Sequence, residues 1–231
     1  MGLPLYLAVT EPEYQNCSQL PQQLAWMACN FSSCHNGLTN IPVRLPEQSL
    51  LLVSDQFPPQ GHDPALIAQQ LSDAVSKLDA AGVVLDFQRP HNAETARIVL
   101  HIQDALHCPA AVTPTYLKDW TGGVFLPPVP VDVSAEEYLK SFSGREIWLE
   151  VDMLGEILTL TEGGCSRQTL TEPVCEPTFR DDCLCCHYNT RVLEDRAIFS
   201  LWRTREDMDS LLSKAQASGA RLAVGLYQQF Y

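Results

Sequence analysis

Short apolar runs alternate along this chain with segments of helical periodicity, and that alternation constrains the fold more than any other feature. A strand buried on both faces reads as a nearly continuous apolar run, and such runs repeated between amphipathic helices mark parallel α/β architecture. The runs at Leu5 to Val9, Leu50 to Val53, Val83 to Leu85, Ala110 to Tyr116, Val124 to Leu126, Ile147 to Met153 and Leu222 to Tyr227 read as strands. Leu24 to Phe31 suits a strand or a helix. Helix starts are signalled by Asp63 followed by Pro64, by Asn92, by Ser134 with Glu137 three residues on, and by Thr204 with Asp207. Ile67, Leu71, Ala74 and Leu78 then fall on one face, as do Met208, Leu211, Leu212 and Ala215 before a stop at Gly219.

The rhythm breaks between about residues 154 and 200, where turn residues, short β-like runs and most of the cysteines gather. This stretch reads as a strand-rich insertion after the seventh strand, with Ala197 to Trp202 returning to the barrel. The strand count is eight whether Leu24 to Phe31 or Ala197 to Trp202 completes it. A chain of 231 residues is close to the usual size of one such unit, so the expectation is a single (β/α)8 TIM barrel.

The chain carries 28 acidic against 15 basic side chains, a net charge of −13. That balance argues against nucleic acid or an anionic membrane as a partner, since both need clustered Lys and Arg. No apolar run approaches the ~18 residues of a membrane span. The opening Met1 to Leu7 lacks a basic region and reads as a first strand, which leads to the expectation of a cytoplasmic protein. The nine cysteines are then expected as reduced thiols.

In a (β/α)8 barrel the working site lies at the C-terminal ends of the strands. The side chains read there are Glu11, Asp55, Asp86, Gln88, Tyr116, Glu150, Asp152, Tyr227 and Gln228. Many polar loop residues only cap helices or meet solvent. Asp86 and Gln88 stand apart, because a strand buried on both faces has little reason to end Asp-x-Gln unless something polar meets it. Glu150 and Asp152 share one face of their strand, and if that face is the interior, either meets Asp86 across the mouth. Such a carboxylate pair suits hydrolysis.

The run Gly82-Val83-Val84-Leu85-Asp86-Phe87-Gln88-Arg89-Pro90 resembles the fourth-strand signature Asp-Gly-x-Asp-x-Asp-x-Glu of the chitinase-like (family 18) glycoside hydrolases. Gly82, Asp86, Phe87 and Pro90 match, while Ala81 and Val84 replace the first two aspartates and Gln88 replaces the glutamate. The resemblance extends to topology, since residues 154–200 fall where that family carries its insertion and Tyr227 falls near its last-strand tryptophan. The family's sixth-strand Met-x-Tyr-Asp is absent, and Phe125-Leu126-Pro127-Pro128 stands there. The resemblance implies an acid at residue 88 that protonates the leaving group, an aspartate at 86 that orients the substrate acetamide, and a carbohydrate or peptidoglycan-like ligand. A carboxamide has no proton to give near neutral pH, so Gln88 can bind a hydroxyl but cannot act as the acid.

Two further groupings bear on chemistry. Cys175, Cys183, Cys185, Cys186 and His187 lie within thirteen residues, a possible zinc set, but the spacing is tighter than the usual knuckle and packed thiols are the plainer reading. Trp120, beside Gly122 and Gly123, is the best candidate for an exposed sugar platform, with Tyr227 second; Trp148, inside a strand, reads as core. No cofactor is implied. Three functions fit these residues: a catalytically impaired barrel that binds carbohydrate, an active glycoside hydrolase using Asp86 with Glu150 or Asp152, and an interaction protein that works through its Cys-rich insertion.

Overall fold

The computed structural model describes residues 2–17, 20–153, 155–170 and 178–231. In chain order the elements are β1 (Leu5–Val9), α1 (Glu11–Asn16), β2 (Leu24–Phe31), β3 (Leu38–Thr39), β4 (Leu50–Ser54), α2 (Pro64–Leu78), β5 (Gly82–Asp86), α3 (Ala93–Ala105), β6 (Ala110–Val112), a 3-10 segment (Pro114–Asp119), β7 (Gly123–Leu126), α4 (Ala135–Lys140), β8 (Ile147–Val151), β9 (Gly155–Thr161), β10 (Gly164–Leu170), β11 (Phe179–Asp181), β12 (Cys186–Val192), β13 (Arg196–Trp202), α5 (Arg205–Ala217), β14 (Ala220–Leu226) and α6 (Tyr227–Phe230). Strands β1, β14, β8, β7, β6, β5, β4 and β2 follow one another in a parallel sheet, and β1 pairs with β2 to close the ring. The fold is therefore a closed (β/α)8 barrel in which β5 is the fourth strand, β8 the seventh and β14 the eighth.

The helix starts follow the caps read from the sequence. The Asp63 carboxylate accepts from Ala65 N, Asn92 from Thr95 N, and Thr204 forms a full capping box with Asp207. Each such cap contributes about 1 kcal/mol. Helices α2 and α3 lay Ile67, Leu71, Ile98 and Ile102 against the outward faces of β4 and β5, where all four are buried. Between β2 and β4 the described chain has no helix, and the short β3 strand pairs antiparallel to β2 instead.

The strands alternate between outer shell and barrel interior. Ala8, Ala25, Leu50, Leu52, Val84, Ala111, Phe125, Trp148, Leu222 and Val224 form the inner cluster. The bulk comes from few residues, chiefly Trp148, which is 1 % exposed, while the alanines make room for it. A Cβ at Gly82 would lie 2.7 Å from Trp148 Cη2 and 2.7 Å from the Pro109 carbonyl oxygen, so the base of the fourth strand needs glycine for this close approach.

The insertion differs from its expected form in one respect. Strand β13 does not return to the barrel. It lies between β9 and β12 in a separate antiparallel sheet of order β10-β9-β13-β12-β11. The strand that completes the ring is β2. The apolar run Ala197 to Trp202 has barrel composition because one side of it is half buried, with Leu201 packed among Val131, Leu158 and Cys186.

Candidate functional site

Alternation fixes which strand-end residues reach the mouth of the barrel. Val84 faces the interior, so Asp86, two residues on, does too; Trp148 faces the interior, so Glu150 does as well. Both carboxylates are half buried. Burial raises the Glu150 carboxyl from 4.5 to about 7, and the charges of Asp86 and Asp152 add to the rise. Burial likewise raises Asp86, the Gln88 amide offsets part of this, and the Asp55 charge adds to it. The Gln88 amide nitrogen donates to Asp86 Oδ1 at 2.6 Å. Gln88 is exposed, so the pair stands where solvent meets the fourth strand.

The loop that carries Gln88 is held from both sides. The two oxygens of Asp55, a residue 2 % exposed, accept separately from Gln88 N and Arg89 N, each at 2.9 Å. The Arg89 guanidinium returns to the Asp55 and Gln56 carbonyl oxygens, and Thr113 Oγ1 donates to the Phe87 carbonyl at 2.6 Å. Asp55 thus positions the loop that carries Gln88, each of its oxygens holding one backbone N–H.

Glu150 has a consequence for stability that can be measured. Its folded carboxyl titrates at about 7 against an ordinary 4.5, so between those values the folded chain holds a proton that the unfolded chain has released. Stability contributed by this group is complete below about pH 4.5 and is lost as pH rises towards 7. Glu150→Gln is expected to flatten that slope and to raise stability at about pH 8 by on the order of 2 kcal/mol, read as the shift in urea midpoint between acid and alkaline buffer.

Asp152 stays near Glu150, and the remaining expected residues are dispersed. Asp152, just past the end of β8, lies beside Arg203, whose guanidinium is buried and bonds the Val129 and Pro130 carbonyls. Glu11 opens α1 on the outer surface and accepts from Gln15. Tyr116 does not end a strand: β6 stops at Val112 before Pro114, and the tyrosine ring is fully buried against Phe87 and His91. Trp120 is 4 % exposed and sits among Ala110, Gly123 and Glu146, at the N-terminal ends of the strands and so away from the mouth. Its neighbour Gly122 is what lets the indole fold back, since a Cβ there would lie 2.6 Å from Nε1. Tyr227 packs against the two outer clusters and stacks on Tyr231; Leu226 is the end of β14 that meets the interior. Gln228 is exposed on α6.

The cysteine grouping does not converge. Cys175 lies outside the described residues. Cys186 Sγ approaches the Val131 carbonyl, Cys185 Sγ approaches that of Asp182, and Cys183 is exposed. His187 Nδ1 pairs with Asp207 Oδ2 at 2.7 Å and its ring stacks on Trp202. Burial pushes the Cys186 thiol up to about 11 and raises that of Cys185, so in this setting they are protonated packing groups. Among the described residues no group of three or more His, Cys, Asp or Glu side chains is placed to hold a metal. The described residues also contain no helix long and apolar enough to cross a membrane.

No protein-family model matches the sequence, and no curated protein matches it significantly. Solved structures match the fold over nearly the whole chain. A chitinase-like agglutinin from Robinia pseudoacacia aligns with TM-score 0.61 and 12 % identity, covering 97 % of this chain and 95 % of its own. The spore cortex-lytic enzyme SleL of Bacillus cereus aligns with TM-score 0.58 and 8 % identity, covering 96 % of this chain and 70 % of its own. A mutant family 18 chitinase from Cycas revoluta, in complex with (GlcNAc)4, aligns with TM-score 0.57 and 11 % identity, covering 96 % and 94 %. The barrel is thus chitinase-like, and at these identities the likeness is one of fold.

Proposed function

We propose that this chain is a glycoside-hydrolase-like barrel that binds a carbohydrate at the mouth formed by Asp86, Gln88 and Glu150 and has lost the ordinary acid of that fold. The observation that carries this reading is the Gln88 amide tied to Asp86 at 2.6 Å on the exposed end of the fourth strand. An amide held there binds and orients a hydroxyl, yet has no proton to deliver to a leaving group. The chitinase-like agglutinin among the fold neighbours supports a binding role, and the neighbour carrying (GlcNAc)4 supports a glycan as the ligand class.

Titration calorimetry with N-acetylglucosamine oligomers tests it. Saturable binding is expected, weakened about tenfold in Asp86→Ala by the loss of a charged hydrogen-bond partner, without release of new reducing ends. No heat of binding up to millimolar oligomer, whether N-acetylated or with free amines, would remove the reading. A second reading rests on Glu150, whose carboxyl at about 7 is poised for proton transfer near neutral pH. Reducing ends that do appear, and that vanish in Glu150→Gln, would favour an active hydrolase over the binding protein.

A further inference from the structure

The mouth is unusual in what faces its two carboxylates. Asp86 projects from β5 and Glu150 from β8, both inward and half buried. The nearby cations are engaged elsewhere: Arg89 is folded onto the Asp55 and Gln56 carbonyls, and Arg203 lies beside Asp152 and is bonded to the Val129 and Pro130 carbonyls. Among the described residues no ion pair reaches Asp86 or Glu150. The groups that face Glu150 are Asp86, Asp152 and the Tyr138 hydroxyl of α4, which itself donates to the Pro127 carbonyl.

The amide orientation adds an independent constraint. Gln88 turns its NH2 inward to Asp86, which leaves its carbonyl oxygen as the group offered to a ligand. The mouth therefore presents acceptors: the Asp86 and Glu150 carboxylates and the Gln88 carbonyl. A neutral acetamide brings one N–H donor and an acceptor oxygen that would face these negative groups. An ammonium brings three donors and the charge that the carboxylates lack.

We propose that the ligand selected at this mouth is a cationic amino sugar, a glucosamine oligomer with free amines, in preference to its N-acetylated counterpart. This deepens the glycan-binding reading above and rests on it. An ammonium held by Asp86 and Glu150 takes the place of the proton that Glu150 carries in the free protein and forms charge-assisted hydrogen bonds with both side chains. It also favours the ionised form of Glu150, so binding near neutral pH expels the proton that Glu150 holds in the free protein.

Parallel calorimetric titrations with the glucosamine tetramer and the N-acetylglucosamine tetramer, at about pH 6.5 and low salt, decide it. The free-amine oligomer is expected to bind about tenfold more tightly or better, with proton release seen as a dependence of the binding heat on buffer ionisation enthalpy. Glu150→Gln, which keeps the shape of the side chain but cannot ionise and should stay folded by circular dichroism, is expected to bring the two affinities within about twofold. Equal or tighter binding of the N-acetylated oligomer, or a preference that survives Glu150→Gln, overturns the amino-sugar inference and leaves the glycan reading standing. Failure of both oligomers to bind overturns both.

Discussion

Gln88→Glu is expected to turn this barrel into a measurable, if slow, hydrolase of N-acetylglucosamine oligomers. The substitution is nearly isosteric and the backbone that carries it is pinned by Asp55 and Thr113, so the new carboxyl should occupy the place of the amide, 2.6 Å from Asp86 Oδ1. Two carboxyls so close cannot both ionise, and the pair keeps one proton to a higher pH than either alone would. That shared proton is the general acid which the chitinase-like strand end implies and which the native amide lacks. A positioned acid is worth ~10²–10⁴ in rate, and the lower end is the expectation because Pro127 stands where the resemblance implies a tyrosine against the acetamide. A fluorogenic N-acetylglucosamine dimer reports the gain directly, as a rise of about a hundredfold over the native chain, and Asp86→Asn in the same background should abolish it. A Gln88→Glu protein that binds the oligomer as the native chain does but turns nothing over would show that residue 88 is not what limits the chemistry.

The helix starts and the inward aim of two strand-end carboxylates were legible in the sequence, and the reasons are local. Caps at Asp63, Asn92 and Thr204 depend on one side chain and the next turn of backbone, so a short window suffices to read them. The inward aim of Asp86 and Glu150 follows from a period of two, once the strands are taken as closed on themselves. What failed was set by distant partners. Ala197 to Trp202 has the composition of a barrel strand, and only its pairing with β9 and β12 shows otherwise. Trp120 beside two glycines looks like an exposed loop residue, yet Gly122 provides the space into which the indole turns. The two oxygens of Asp55 were open to many roles until the loop thirty-odd residues on claimed both. The placement of Asp86 beside Gln88 at a strand end depends on their own strand alone, which is why it could be read from the sequence.

The largest effect on stability is expected at Trp148, and it bears on the same mouth. Trp148 is the largest of the fully buried side chains, lies against Gly82 at the foot of the fourth strand, and sits one inward step below Glu150 on β8. Its Nε1 donates to Glu146 Oε1 at 2.7 Å, and that carboxylate also holds Arg221 from β14. Trp148→Ala would remove both the filling of the ring and the hydrogen bond that ties β8 to its own base. Truncating a buried aromatic of this size costs ~3–5 kcal/mol, a large share of the ~5–15 kcal/mol that holds a typical domain. In a chain of this length the melting temperature should fall by about 10 °C, followed by calorimetry or by circular dichroism. Trp202→Ala is the matched control: that ring is only half buried, in the inserted sheet, stacked on His187, and its loss should cost about 1.5 kcal/mol or less. If the two substitutions cost the same, Trp148 is not the plug of a closed ring. The fourth and seventh strands would then lack the shared floor that sets Asp86 and Glu150 at one level, and the acidic mouth would lose its structural basis along with the core.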